Sequence, residues 1–463
     1  MNPNDFSLML DLYELTMAQS YFQNSMSEPS TFSLYIRSYP YNRGYFVTAG
    51  LSDVITYLQD LKFTEESITY LESTGIFDTQ FLQFLRTLHF TGDVWAIPEG
   101  GIVFADEPLL EITAPIIEAQ IIETFIVNQM HYQTLIATNA SRCVWAARDR
   151  SVIEFGLRRT HGIDAGLKMA RASYMAGCKS TSNVLANKIY GIPMTGTMAH
   201  SFITSMTDEI AAFRAYYKSF PCRTVLLLDT YDTINATHNA VVVAKEIETD
   251  GNQLLGVRID SGDLLSLSKK VRQILDAEGL SYVTIVASGG LDEYSVEKLL
   301  NQGAPIDVFA IGTKMSVSDD SPSMDMIYKQ VRYADRSIMK LSPQKISLPE
   351  SKQIFRTKDS MDYFAGDILG LRDENINGKP LLEQIMTEGK VIKTLPNIHQ
   401  IRDHFAEEFE CIKAEYKTLT TPPEYPVTLS PGLQTLANKL HQQVSARQRS
   451  DFDQGTQHDG AKS

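Results

Sequence analysis

The chain has 463 residues, of which 43% are hydrophobic and 21% charged, and a formal net charge of −14. That length allows two or three domains, and that composition belongs to a folded globular protein rather than a disordered one. The acidic balance argues against a general binder of nucleic acid or anionic membrane. One stretch runs the other way: Arg142 to Lys188 holds nine Lys or Arg against three Asp or Glu. An acidic chain with one basic island suits a small, highly charged anion as ligand.

Four scattered cysteines, Cys143, Cys178, Cys222 and Cys411, form no CxxC pair or Cys/His cluster. Reduced thiols in the cytoplasm and no structural zinc are therefore expected. Met1 to Asp5 carries no basic n-region, so no signal peptide is expected. No apolar run approaches ~18 residues, so no membrane span is expected either.

In chain order, residues 1–130 show no steady alternation of strand and helix. Asp11 to Met17 opens an amphipathic helix, Phe32 to Ile36 reads as a strand, and Val94 to Leu110 reads as a ribbon broken by Pro98-Glu99-Gly100-Gly101. Ile116 to Ala147 is apolar at helical spacing and is expected to bridge two domains. From residue 151 short apolar segments alternate with helical ones. Strands are expected at 152–157, 180–182, 192–195, 224–228, 255–259, 283–287 and 308–311, each leading into a helix. Seven such units imply parallel pairing and an irregular TIM-like α/β barrel. After residue 320 the alternation stops, with a hairpin at 326–341, a strand at 353–356 and a charged helix at 397–418. The expected division is an α+β domain at 1–130 completed by 330–440, the barrel at 131–329, and a disordered tail at 441–463.

The strand ends carry the chemistry. In order they are Arg158-Arg159, Ser182, Thr197 with His200, Asp229, Asp260-Ser261, Ser288-Gly289-Gly290 and Gly312-Thr313. Barrels of this kind build active sites from such ends. The junction Gly196-Thr197-Met198-Ala199-His200-Ser201 places small residues and one imidazole at a helix start, where a base, an acid or a phosphate acceptor can act. Its helix is expected to run from Ile203 through Tyr217. The glycine pairs at the last two ends suit a phosphate. Asp229 and Asp260 could hold Mg²⁺ through water, bind ribose hydroxyls, or merely cap the following helices. Arg258 shares a strand face with Asp260 and could be a core ion pair or a fork for a carboxylate ligand. No GxxxxGK[ST] or GxGxxG loop is present.

These segments resemble nicotinate phosphoribosyltransferase. The likeness rests on Glu154 to Arg159 with Gly162, Ser182-Asn183, Gly196 to Ser201, Leu228-Asp229-Thr230, Arg258 to Asp263, Ser288-Gly289-Gly290 and Gly312-Thr313. Asp11 to Met17 and Pro98 to Leu109 upstream, and Lys340-Leu341-Ser342, Lys345, Pro349 and Lys352 to Arg356 downstream, extend it over roughly residues 8 to 393. The resemblance implies a type II phosphoribosyltransferase that joins nicotinate to phosphoribosyl pyrophosphate, releasing pyrophosphate, with coupled ATP hydrolysis and Mg²⁺. It further implies His200 as the residue transiently phosphorylated, with Asp229 and Asp260 serving ribose and metal. Tyr13, Arg158, Ser182, Thr197 and Arg258 would surround nicotinate, Tyr13 crossing from the neighbouring subunit of a homodimer. Ser288, Gly289, Gly290, Gly312 and Thr313 would hold the 5′-phosphate. Ser182, where nicotinamide-using relatives place an aspartate, favours the acid over the amide. The alternatives are a nicotinamide phosphoribosyltransferase and a barrel that binds phosphoribosyl compounds without catalysis.

Overall fold

The computed structural model describes residues 6–342 and 347–459, with side chains through residue 446. Met1 to Asp5 and Lys345 lie outside it. Six short parallel strands lie in the spatial order Ser180–Thr181, Ser151–Glu154, Val308–Ile311, Thr284–Ala287, Gly256–Ile259 and Val225–Leu227. Among these six, the last in chain order thus pairs with the first. Apolar strands such as Phe309-Ala310-Ile311 and Ile285-Val286-Ala287 are buried because helices cover them.

The expected seventh strand does not form. Ile192–Thr195 contributes only one parallel bridge, Thr181 to Met194. Pro193 has no N–H to give a ladder, and Gly191 sits in the left-handed region at φ +71. The parallel sheet is a half-barrel, open between Met194 and Val225. The helices His200–Thr204 and Glu209–Ser219 cross that opening. One continuous helix was expected there. It breaks because Asp208 caps a new start, its side chain accepting from Ala211 N at 2.8 Å.

Both chain ends build a second layer. A seven-stranded antiparallel sheet runs Arg336–Ser337, Met326–Tyr333, Pro29–Ile36, Pro108–Pro115, Asp93–Ala96, Glu383–Thr387, Lys390–Val391. The ribbon expected at 94–110 is split between this sheet and a small pair of Phe46–Val47 with Ile102–Val103. A four-stranded sheet joins Lys379–Pro380, Lys352–Lys358, Phe364–Leu371 and Val427–Leu429. Each layer has its own apolar core.

The bridging helix at 116–147 is broken at Ile122 into Ile116–Ile121 and Glu123–Ala147. The buried Glu14 carboxylate accepts from Thr124 N at 2.9 Å, which anchors the second start. The charged helix expected at 397–418 stops at Glu410, and a short 3₁₀ turn follows at Ala414–Lys417. A final helix, Pro431–Asp459, runs through most of the stretch expected to be unstructured.

Candidate active site

Helix caps decide the first open question. The helices after the strands ending at Leu227 and Ile259 are capped by Asp232, which accepts from Asn235 N, and by Asp263, which accepts from Leu265 N and Ser266 N. Each of these aspartates lies three residues beyond the one at the strand end. Asp229 and Asp260 are thereby released from capping and stand at the barrel rim.

The Asp229 side chain reaches across to the strand end that carries Asp260. Asp229 Oδ2 accepts from Asp260 N at 3.2 Å and from Ser261 Oγ at 2.5 Å. Asp229 Oδ1 is buried and has no partner among the described residues. Ser288 Oγ donates to Asp260 Oδ1. Gly289, at φ +88, packs so tightly that a Cβ would lie 1.9 Å from Asp260 O. No other residue fits that position. Gly290, at φ +66, faces open space, and a Cβ on Gly312 would lie 3.0 Å from Phe155 O.

Arg258 answers the second open question. One nitrogen, Nη1, donates to Thr197 Oγ1 at 2.5 Å and to Met198 O at 3.3 Å. Nη2 lies 3.7 Å from Asp260 Oδ1, too long for a closed bidentate pair. Nε is buried without a partner among the described residues. Burial pulls the guanidinium below its ordinary value and Arg158 adds to that, while Asp260 and Asp229 oppose it. The group is a half-used fork, held dry.

His200 begins its helix beside these groups. Its Nδ1 lies 3.1 Å from Thr230 Oγ1, and its Nε2 lies 3.9 Å from Asp260 Oδ2. Together with Arg258 to Thr197, these contacts draw the Gly196–His200 loop toward the strand ends at Leu227 and Ile259. Side chains, not a backbone ladder, therefore close the opening in the half-barrel.

Ser182 lies at a neighbouring strand end, its N–H donating to Glu154 O at 3.0 Å. Arg158 is exposed on the turn Leu157–Arg159. Thr313 starts the helix Thr313–Val317, which Gly312 precedes. Tyr13 stands apart, half-exposed on the helix Leu12–Gln23. It faces a cavity of about 830 Å³ shared with Asp11, Glu123, His131 and His161. Among the described residues, no hydrogen bond or ion pair joins it to the rim. Thr230 has a contact that the sequence reading did not assign. It lies next to Asp229 in the stretch already singled out, and its hydroxyl was the available signal.

An open α/β half-barrel whose rim gathers an imidazole, two carboxylates and a half-satisfied guanidinium defines an α/β-barrel enzyme. Residues 8–131 match the nicotinate phosphoribosyltransferase (NAPRTase) N-terminal domain, 150–347 the nicotinate phosphoribosyltransferase (NAPRTase) family, and 375–437 its C-terminal domain. Nicotinate phosphoribosyltransferase pncB2 of Mycobacterium tuberculosis is 45% identical over 92% of this chain and 91% of that one. The human nicotinate phosphoribosyltransferase is 30% identical over 94% of this chain and 96% of that one. The crystal structure of human nicotinic acid phosphoribosyltransferase superposes with a TM-score of 0.83 at 29% identity, covering 93% of this chain and 99% of the other. The chain belongs to the nicotinate phosphoribosyltransferase family. It is an enzyme of NAD biosynthesis by salvage.

Proposed function

We propose that the rim residues catalyse attack of the nicotinate ring nitrogen on C1 of phosphoribosyl pyrophosphate, forming nicotinate mononucleotide and expelling pyrophosphate, with ATP hydrolysis coupled through His200. The observation that carries this reading is the Thr197–Arg258–Asp260–His200 cluster facing the glycine loops.

Arg258 has an unpaired, desolvated edge, which suits the carboxylate of nicotinate. Thr197, oriented by Arg258, and Ser182 offer hydroxyls to the same anion, and Arg158 adds positive charge nearby. Breaking the bond to pyrophosphate spreads positive charge over the ribose, and the Asp229 and Asp260 carboxylates are placed to steady it. Ser288, Gly289, Gly290, Gly312 and Thr313 would receive the 5′-phosphate, since Gly290 leaves open space for a close approach.

The residues fit Mg²⁺. Asp229 Oδ1 is an orphaned acceptor, and among the described residues no group of three or more His, Cys, Asp or Glu could hold an ion by itself. Asp229 and Asp260 would hold the ion through water, shared with the substrate phosphates. When bound, it neutralises charge on the leaving pyrophosphate. His200 Nε2 is the imidazole nitrogen without a close partner, since Thr230 engages Nδ1. That nitrogen is available to take the phosphoryl group of ATP.

Tyr13 makes no bond to the rim of its own chain among the described residues, and in the proposed role it would cross to the partner of a homodimer. Exposed apolar side chains support that assembly: Leu12 and Tyr13, Ile163 lining the same cavity as Tyr13, and Val184, Ile189 and Met194. Among the described residues no helix is long and apolar enough to cross a membrane. Four free cysteines support a cytoplasmic location.

The test is product formation from nicotinate, phosphoribosyl pyrophosphate and Mg²⁺, with and without ATP. ATP should raise the yield of nicotinate mononucleotide and label the protein with acid-labile phosphate. His200→Ala should lose both effects. Turnover of nicotinamide in preference to nicotinate would overturn the substrate assignment. Mixing Tyr13→Ala with His200→Ala should restore activity in hybrid dimers, and no recovery would sink the shared site.

A further inference from the structure

The two glycine loops are each followed by a charged residue that nothing above employs. Asp292 ends the segment Ser288-Gly289-Gly290-Leu291, and Lys314 follows Gly312-Thr313. Lys314 Nζ donates to Asp292 Oδ2 at 2.6 Å, so an ion pair spans the two loops. The other carboxylate oxygen, Oδ1, caps the helix Glu293–Asn301 by accepting from Ser295 N at 2.7 Å. One carboxylate thus performs two separable tasks. Burial works to raise the Asp292 carboxyl, but the bonds from Lys314 and Ser295 prevail and leave it lowered. The bond to Asp292 pushes the Lys314 ammonium up.

Behind the pair, a polar network fastens both loops to one helix. Arg142, on Glu123–Ala147, donates through Nε to Glu293 Oε1 at 3.0 Å and through Nη2 to Tyr294 Oη at 3.1 Å. Tyr294 donates to Asp320 Oδ2 at 2.7 Å. Arg43 grips Asp320 through both oxygens, at 2.9 and 2.7 Å. Glu293 and Tyr294 directly follow the first loop, and Asp320 follows the helix Thr313–Val317 after the second. The loops are anchored at the rear by buried bonds. At the rim, Lys314 and Asp292 join them.

We propose that the Asp292–Lys314 pair is a positioning device that sets the gap between the two glycine loops, and so how tightly they grip the phosphate of phosphoribosyl pyrophosphate. This rests on the function proposed above. Lys314 acts through Asp292 here, because its ammonium is already engaged at 2.6 Å.

Steady-state kinetics on the full chain with varied phosphoribosyl pyrophosphate test it. Lys314→Met, Lys314→Arg, Asp292→Asn and the Lys314→Met/Asp292→Asn double variant are compared with the wild type. Asparagine caps a helix as well as aspartate, so Asp292→Asn keeps the cap while replacing the oxygen that Lys314 engages with an NH2 that cannot accept from it. Lys314→Met and Asp292→Asn should each raise KM for phosphoribosyl pyrophosphate about three- to fivefold, the scale of a part-exposed ion pair. Their kcat and KM for nicotinate should stay within about twofold of wild type, and the double variant should be no worse than either single one. Lys314→Arg should keep the wild-type KM. An unchanged KM in Asp292→Asn, a double variant in which the two effects multiply, or a loss confined to Lys314→Met would overturn the clamp, the last by making Lys314 a direct phosphate ligand. A wild type that forms no nicotinate mononucleotide would overturn the function instead. Calorimetric binding of inorganic phosphate to wild type and Asp292→Asn would then decide the clamp: weaker binding in the variant supports it, and equal binding sinks it.

Discussion

Two arginines in this chain, both out of contact with most of the solvent, are treated in opposite ways. Arg356, in the four-stranded sheet, donates through Nε at 3.0 Å and Nη2 at 2.6 Å to Asp367, and through Nη1 to Ile102 O at 2.8 Å. The Phe364 ring lies 4.4 Å from its guanidinium, and Tyr425 donates to Asp367 at 3.1 Å. Arg258, at the barrel rim, keeps one nitrogen unpartnered and meets its carboxylate at 3.7 Å. The first site is complete without any ligand. The second leaves hydrogen-bonding capacity unused in a dry place, which stability alone does not favour. Arg37, Arg43, Arg150 and Arg372 also leave Nε without a partner among the described residues, so what sets Arg258 apart is that its free edge stands at the rim beside Thr197, Asp260 and His200.

The contrast breaks most visibly under substitution. Arg258→Met should cut kcat/KM about 10³-fold while leaving the melting temperature near that of wild type. A matching fall in melting temperature would make Arg258 a fold residue after all. Arg356→Met should do the reverse. Stranding Asp367 in the interior should cost about 3 kcal/mol in denaturant unfolding, with kcat per folded molecule unchanged.

Glu14 sharpens the comparison with a group that is buried and only half satisfied. Burial raises its carboxyl from 4.5 to about 8, although bonds from Thr124 oppose the shift. The folded chain therefore keeps a proton that the unfolded chain has released. The stabilisation is full below pH 4.5 and is lost as the pH rises toward about 8. Glu14→Gln should flatten the unfolding free energy against pH across that window, removing roughly 2 kcal/mol of its variation. Parallel curves for the two proteins would refute this. The smallest effect is expected from Asn183, which caps the helix Val184–Tyr190 beside the rim. Asn183→Ala should lower stability by about 1 kcal/mol, read from denaturant midpoints.

Much of the barrel was legible because its strands are continuous apolar runs closed by polar ends, and that pattern survives without tertiary context. The failures have local causes. Pro193 kept Ile192–Thr195 from forming a strand although the apolar pattern suggested one. The break at Ile122 depends on Glu14, more than a hundred residues away, which periodicity cannot register. The capping role that made Asp229 and Asp260 ambiguous was resolved by Asp232 and Asp263. That signal stood in plain view, since each strand end carries a second aspartate three positions on. The roles of Thr230 and Lys314 went unassigned because their partners, His200 and Asp292, come from other strand ends.

The gap between Met194 and Val225 has a mechanical corollary. A hoop of strands fastened by side chains, His200 to Thr230 beside Arg258 to Thr197, is only as rigid as those fastenings, and here the imidazole is also the group proposed to carry phosphate. Loading His200 would therefore alter the girth of the ring as well as its charge. Faster amide hydrogen exchange across residues 192–230 in His200→Ala, with the strand Val308–Ile311 unaffected, is the expected trace of that coupling.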